Sequence, residues 1–205
     1  MEQHTAHHVE LRDDEGDRMG MWIFIFTELL LFSGLFLVYA VYRSQYPEDF
    51  HIAGYQLNVL IGTINTVALL VSSATIAMSI TAVQLGNKKL ALTLIGITIL
   101  LALVFLVNKY FEWGHKIHEG LYPGSPIFLS LHRGQLLFFG LYYFMTGLHA
   151  LHIIIGMVFL TIVFVKVSNG KVHKTDFVLL ENGALYWHLV DLIWIFLFPL
   201  LYLIA

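Results

Sequence analysis

The chain has 205 residues, of which 58% are hydrophobic and 12% charged, with a mean hydropathy of +0.76 and no cysteine. That balance excludes an ordinary soluble domain, where about a quarter of residues are charged. The missing thiols exclude disulfides, thiolate zinc or iron–sulfur sites, cysteine-bridged copper centres and C-x-x-C-H haem attachment. The net charge is −3 and no basic patch points to nucleic acid.

Residues 1–18 hold six acidic residues and two arginines, together with His4, His7 and His8, and read as a flexible, solvated tail. An acidic start and a first apolar run of about 23 residues argue against a cleaved signal peptide. Hydrophobic spans follow at about 19–41, 57–84, 90–107, 135–165 and 184–204. Each is long enough to cross a bilayer, which predicts an all-α integral membrane protein, a bundle of five transmembrane helices. The third helix is expected to run on through Lys109, Glu112 and Trp113 into the headgroup region. With the N-terminus inside, seven basic residues (Arg12, Arg18, Lys88, Lys89, Lys166, Lys171, Lys174) face four outside (Arg43, Lys109, Lys116, Arg133). The excess favours an inside N-terminus and an outside C-terminus, with the last three outer charges in one longer loop.

The second span carries Gly62, Asn65, Thr66, Ser72, Ser73, Thr75 and Ser79, small residues that allow close helix approach and interhelical hydrogen bonds. Trp22, Trp113, Trp187 and Trp194 lie mostly near span ends, where an interfacial aromatic belt is expected. Pro199 should bend the last helix near its outer end. There is no internal repeat of the kind that builds many transporters.

Ionisable groups at membrane depth are costly and invite a functional reading. Glu28 lies nine residues into the first span, about 13 Å deep, where lipid cannot solvate a carboxylate. It must be protonated or paired, and it is also the kind of lone carboxyl that proton relays use. His149 and His152 share a face of the fourth helix, as His188 and Asp191 do on the fifth, with Glu181 and Asn182 at the inner entrance. The economical arrangement has the first, fourth and fifth helices satisfying one another. Metal or haem ligation by His149 and His152 stands beside that structural reading. Two histidines one turn apart cannot be both axial ligands of one haem, and a sandwich would need His188 from across. No Glu-x-x-His repeats on facing helices suggest a carboxylate-bridged metal pair.

Five stretches then carry a resemblance: MGMWIFIFTELLLFSGLFLVYAVYR at 19–43, INTVALLVSSAT at 64–75, KYFEWGHKIHEGLYPG at 109–124, TGLHALHIIIGMVFL at 146–160 and ENGALYWHLVDLIWIFLF at 181–198. Together they resemble subunit III of the haem–copper terminal oxidases, the cytochrome c oxidases and related quinol oxidases. The specific part is T-G-x-H-x-x-H-x-x-x-G followed by Y-W-H-x-x-D-x-x-W. The resemblance implies that Glu28 is the family's buried carboxylate, associated with bound lipid and sensitive to carbodiimides. It matches His149 and His152 to the family's paired histidines, and Glu181, Trp187, His188 and Asp191 to its final-helix signature.

The resemblance further implies a non-redox accessory subunit of a complex that reduces O2 to water and pumps protons. Such a subunit has no catalytic, cofactor or metal residues of its own, with haem and copper on partner subunits. Expected partners are the catalytic subunit I, other oxidase subunits and phospholipid, in a bacterial plasma membrane. Its role would be to stabilise the catalytic subunit and support proton uptake or O2 access. The family's familiar form begins with two further helices that form one arm of a lipid cleft; this chain resembles a short five-helix bacterial form. Alternatives are a stand-alone proton channel or carrier using Glu28, His149, His152 and Asp191, or a subunit III relative in a nitric oxide reductase or other respiratory assembly.

Overall fold

A computed structural model describes residues 14–174 and 176–204. Its helices are α1 (Asp14–Gln45), α2 (Pro47–Gly54), α3 (Val59–Gln84), α4 (Lys88–His118), α5 (Pro126–Leu129), α6 (Arg133–Ser168) and α7 (Val178–Phe198). A π-helical turn, Pro199–Leu203, continues α7. Five of these helices, α1, α3, α4, α6 and α7, are long and apolar enough to cross a membrane. They are the five expected spans; α1, α4, α6 and α7 begin or end several residues beyond the expected bounds, and α3 begins two residues later. Helix α1 starts at Asp14, so the last residues of the acidic stretch form its first turn; residues 1–13 of the expected tail lie outside the described residues.

Local sequence explains where the helices start and stop. Asn58 and Asn87 cap α3 and α4, their side-chain oxygens accepting from Ile61 N at 3.2 Å and Leu90 N at 3.1 Å. Gly86 closes α3 in the left-handed region at φ 75°, which lets Asn87 N reach back to Ala82 O at 2.8 Å. That reversal makes α3 and α4 an antiparallel hairpin, the most extensive helix pair of the bundle. Proline at 199 cannot donate the next helical hydrogen bond, and there α7 widens into the π-helical turn. Tyr39 of α1 donates to the turn's Leu200 carbonyl at 2.8 Å.

Helix α7 runs through the middle, against α1, α3 and α6, while α4 packs on α3 and α6. In lipid, apolar burial does not drive helices together; packing and interhelical hydrogen bonds do. The small residues of α3 act in this way. Ser72 Oγ accepts from Trp187 Nε1 at 2.9 Å, Thr66 Oγ1 from Trp194 Nε1 at 3.0 Å, and Asn65 Oδ1 from Asn108 Nδ2 at 2.8 Å. Trp187 and Trp194 are therefore core residues and do not belong to an interfacial belt; both are fully buried. Trp22 is exposed near the start of α1, where a belt residue would sit. Short α2 lies across the end of the bundle where α1 finishes, its Phe50 seated against Tyr39 and Phe138.

Candidate functional site: polar pairs between the helices

Glu28 projects from α1 toward α6, where its Oε2 lies 2.9 Å from His152 Nε2. The other ring nitrogen, Nδ1, is 2.7 Å from the Leu148 carbonyl one turn earlier. A carbonyl only accepts, so Nδ1 carries a proton. One further proton is then shared between Nε2 and the carboxyl, and the pair is either acid plus imidazole or carboxylate plus imidazolium. Both forms have zero net charge, which suits a membrane interior. The Glu28 side chain keeps 17% of its surface exposed against 8% for His152, so the pair sits at the edge of the bundle with the carboxyl outermost. Phe32 packs its ring edge on His152, and the Tyr186 hydroxyl donates to the His152 carbonyl at 3.0 Å. Helices α1, α6 and α7 thus meet at this pair, α7 through Tyr186 and not through the Glu181, His188 or Asp191 singled out in the sequence.

His149 goes elsewhere. It is fully buried, stacked on Trp194 with ring centroids 5.2 Å apart and edge-on to Phe105 at 5.5 Å. Neither ring nitrogen has a hydrogen-bond partner among the described residues. His188 turns to α3 instead of joining the histidines, its Nδ1 2.6 Å from Ser73 Oγ, and the buried Asp191 Oδ1, one turn further on α7, has no hydrogen-bond partner among the described residues. Glu181 pairs with Arg18 of α1 at 2.7 Å, and Asn182 Nδ2 reaches the Asp17 carbonyl at 3.5 Å. Five of the six residues singled out in the sequence therefore divide among three places: the α1–α6 edge, the α3–α7 seam and the entrance of α1 and α7. His149 alone stays in an aromatic slot.

A fourth polar cluster escapes sequence reasoning. Lys109 and Glu112, expected among the headgroups, are buried inside the protein near the end of α4. Lys109 Nζ lies 3.2 Å from Glu112 Oε2 and donates to Tyr202 Oη at 2.6 Å. Tyr142 and Tyr202 both donate to Glu112 Oε1, at 2.8 and 2.5 Å. The ammonium also stands 5.1–5.2 Å from the ring centres of Tyr142, Trp194 and Tyr202. Lys109 and Lys116 are thus helical residues, not loop charges. The available signal was a Lys-x-x-Glu pair on one helix face; the tyrosines that bury it lie far away in sequence. Beyond the helix, Glu119 accepts from Lys116 Nζ at 2.8 Å. That hydrogen bond, with the charges of Lys116 and His115, holds its carboxyl below its ordinary value, partial burial opposing.

Comparison with known proteins agrees with this architecture. Residues 2–205 match the family described as cytochrome c oxidase subunit III. The chain is 29% identical to the probable quinol oxidase subunit 3 of Staphylococcus saprophyticus, over 98% of this chain and 96% of that one. It is 32% identical to cytochrome c oxidase subunit 3 of Lemur catta, over 96% of this chain and 69% of that one. It also matches the haem–copper oxidase subunit I+III of Aeropyrum pernix at 31% identity, covering 91% of this chain and 22% of that longer one. With five apolar helices and a family match over essentially its whole length, the chain belongs to the cytochrome c oxidase subunit III family, accessory membrane subunits that associate with the other subunits of haem–copper oxidases.

Proposed function

We propose that this chain is the non-redox subunit III of a respiratory complex that reduces O2 to water, seated against subunit I in a bacterial plasma membrane. The observation that carries this reading is the Glu28–His152 pair: an acid–base couple of zero net charge, held at the bundle edge by three helices. Such a pair suits anchoring of lipid and local proton traffic. It gives no electron carrier a seat, because His149 and His152 address different partners. In this reading haem and copper sit on the partner subunits. A contact with subunit I is supported by the relative in which subunits I and III are named as one chain. An inside N-terminus is supported by the lysines at that end of the bundle, where Lys88 Nζ donates to the Ser168 carbonyl at 2.5 Å. Phospholipid would lie along α1, whose outward face exposes Trp22, Phe26, Leu30 and Leu37 and which exposes Phe24 and Leu31 one turn either side of the partly open Glu28.

Purification of a tagged chain in mild detergent tests this. It should bring down a haem-bearing partner, and the separated chain should show no Soret absorption. A stoichiometric Soret band on the separated chain would overturn the assignment. Recovery free of any haem-bearing subunit, with proton flux from the chain alone in liposomes, would favour the channel or carrier.

A further inference from the structure

We propose that the Lys109–Glu112–Tyr142–Tyr202 cluster is a proton-binding site inside the membrane, filled from the aqueous phase at the end of the bundle where α4 finishes and the chain ends. This goes beyond the oxidase-subunit reading and needs only that the chain spans a membrane.

The first ground is access. Glu112 is only 5% exposed, yet it lines a cleft of about 610 Å³ whose walls include Asn58, Leu60, Phe111, His115 and Glu119. His115 and Glu119 follow Glu112 on the same face of α4 and beyond it, and lie 3.2 Å apart. Titratable groups thus lead from the helix end down to the buried carboxyl. Tyr202 lines a second, smaller cleft of about 150 Å³ with His51 and Tyr55. The cluster is reached from two sides of the same end.

The second ground is the bonding. The Tyr202 hydroxyl accepts from Lys109 Nζ and donates to Glu112 Oε1. Passing the hydroxyl proton to Glu112, while Lys109 gives one of its own to Tyr202, turns the ammonium–carboxylate pair into amine and acid. No atom is lost and the net charge stays zero. Burying two charges is costly even after relaxation, so the neutral arrangement avoids a cost that the charged one carries. One proton added from the cleft then leaves ammonium beside neutral acid. Among the surrounding groups the Lys116 cation opposes the added charge, but it is paired with Glu119 at 2.8 Å. Lys116 lies on the cleft side of α4, Tyr142 and Tyr143 face Glu112 from α6, and α3 contributes only uncharged residues to the cleft wall.

A rigid structural clamp would show the same distances, so the experiment must follow the proton. Infrared difference spectra of membranes holding the full chain, with 13C-labelled glutamate, are recorded after pH jumps applied to one side at a time. The expected result is a carboxylic C=O band that shifts on acidifying the side bearing His115, as the Lys109 amine beside it becomes ammonium, and that is lost in Glu112→Gln. If Glu112→Gln does not assemble, Tyr202→Phe removes one hydrogen bond from Oε1 and should shift the same band. A band that responds only to the opposite side would overturn the proposal. So would a spectrum unchanged by pH, or one unaltered in whichever of the two variants assembles.

Discussion

Glu28 and His152, 124 residues apart in sequence, meet across the α1–α6 junction at 2.9 Å. Because Nδ1 of that histidine is committed to Leu148, the carboxyl faces the one nitrogen able to accept or donate. Glu28→Gln should therefore keep the complex assembled, since the amide can donate to Nε2. Glu28→Ala leaves a buried nitrogen unpaired and should cost about 1–3 kcal/mol. The check is subunit retention, bound phosphorus and turnover of the purified complex. The alanine variant should lose lipid and sustained turnover while initial turnover persists. Immediate, near-complete loss of O2 reduction in assembled Glu28→Gln would instead make the carboxyl an obligatory proton donor.

At the start of α6, Gly134 lies directly under α2. A Cβ there would stand 2.5 Å from Asp49 Cβ and 2.7 Å from Tyr46 Cβ, atoms too near their own backbone to swing aside. Gly134→Ala should thus lever α2 away and destabilise by about 1–3 kcal/mol. Gly34→Ala, with nothing within 4 Å of the new methyl, is the matched control and should be neutral or stabilising. Thermal unfolding of both variants in detergent compares them.

The seam between α3 and α7 can be measured by a double-mutant cycle. Trp187→Phe removes an indole donor from Ser72, whose hydroxyl still donates to the Leu69 carbonyl at 2.7 Å. Combined with Ser72→Ala, it should give a coupling of about 1 kcal/mol in unfolding experiments. Additive effects would mean that the two residues do not hold the helices together.

Glu119 provides a pH test outside the membrane. Its carboxyl is held below the ordinary 4.5, first by the hydrogen bond from Lys116. A depressed acid stabilises the folded state fully above its unfolded value and loses that contribution as pH falls through the folded one. Wild type should therefore exceed Glu119→Gln in melting temperature near neutral pH, by a small margin because the group is largely exposed, and the two should converge in acid below 4.5. A gap that widens on acidification would contradict the pairing.

Five spans were legible in the chain because a helix in lipid must satisfy its own backbone, so length and hydropathy alone specify each one. The role of α3 was legible too, since small hydroxyl residues have few other uses in a membrane helix. That Glu28 needs a partner also follows from its depth. Which partner it takes does not. His149 and His152 are equally good candidates by spacing, yet one pairs with the carboxyl and the other stacks on Trp194. Each residue turns about 100° around the helix axis, so the rotation of α6 against α1 and α7 decides between them. The same holds for Lys109 and Glu112, whose burial depends on Tyr142 and Tyr202, 30 and 90 residues beyond Glu112. Sequence determined that this chain crosses the membrane five times and carries charge it must neutralise there. Only the packing of whole helices, set by many contacts at once, determined which charge meets which partner.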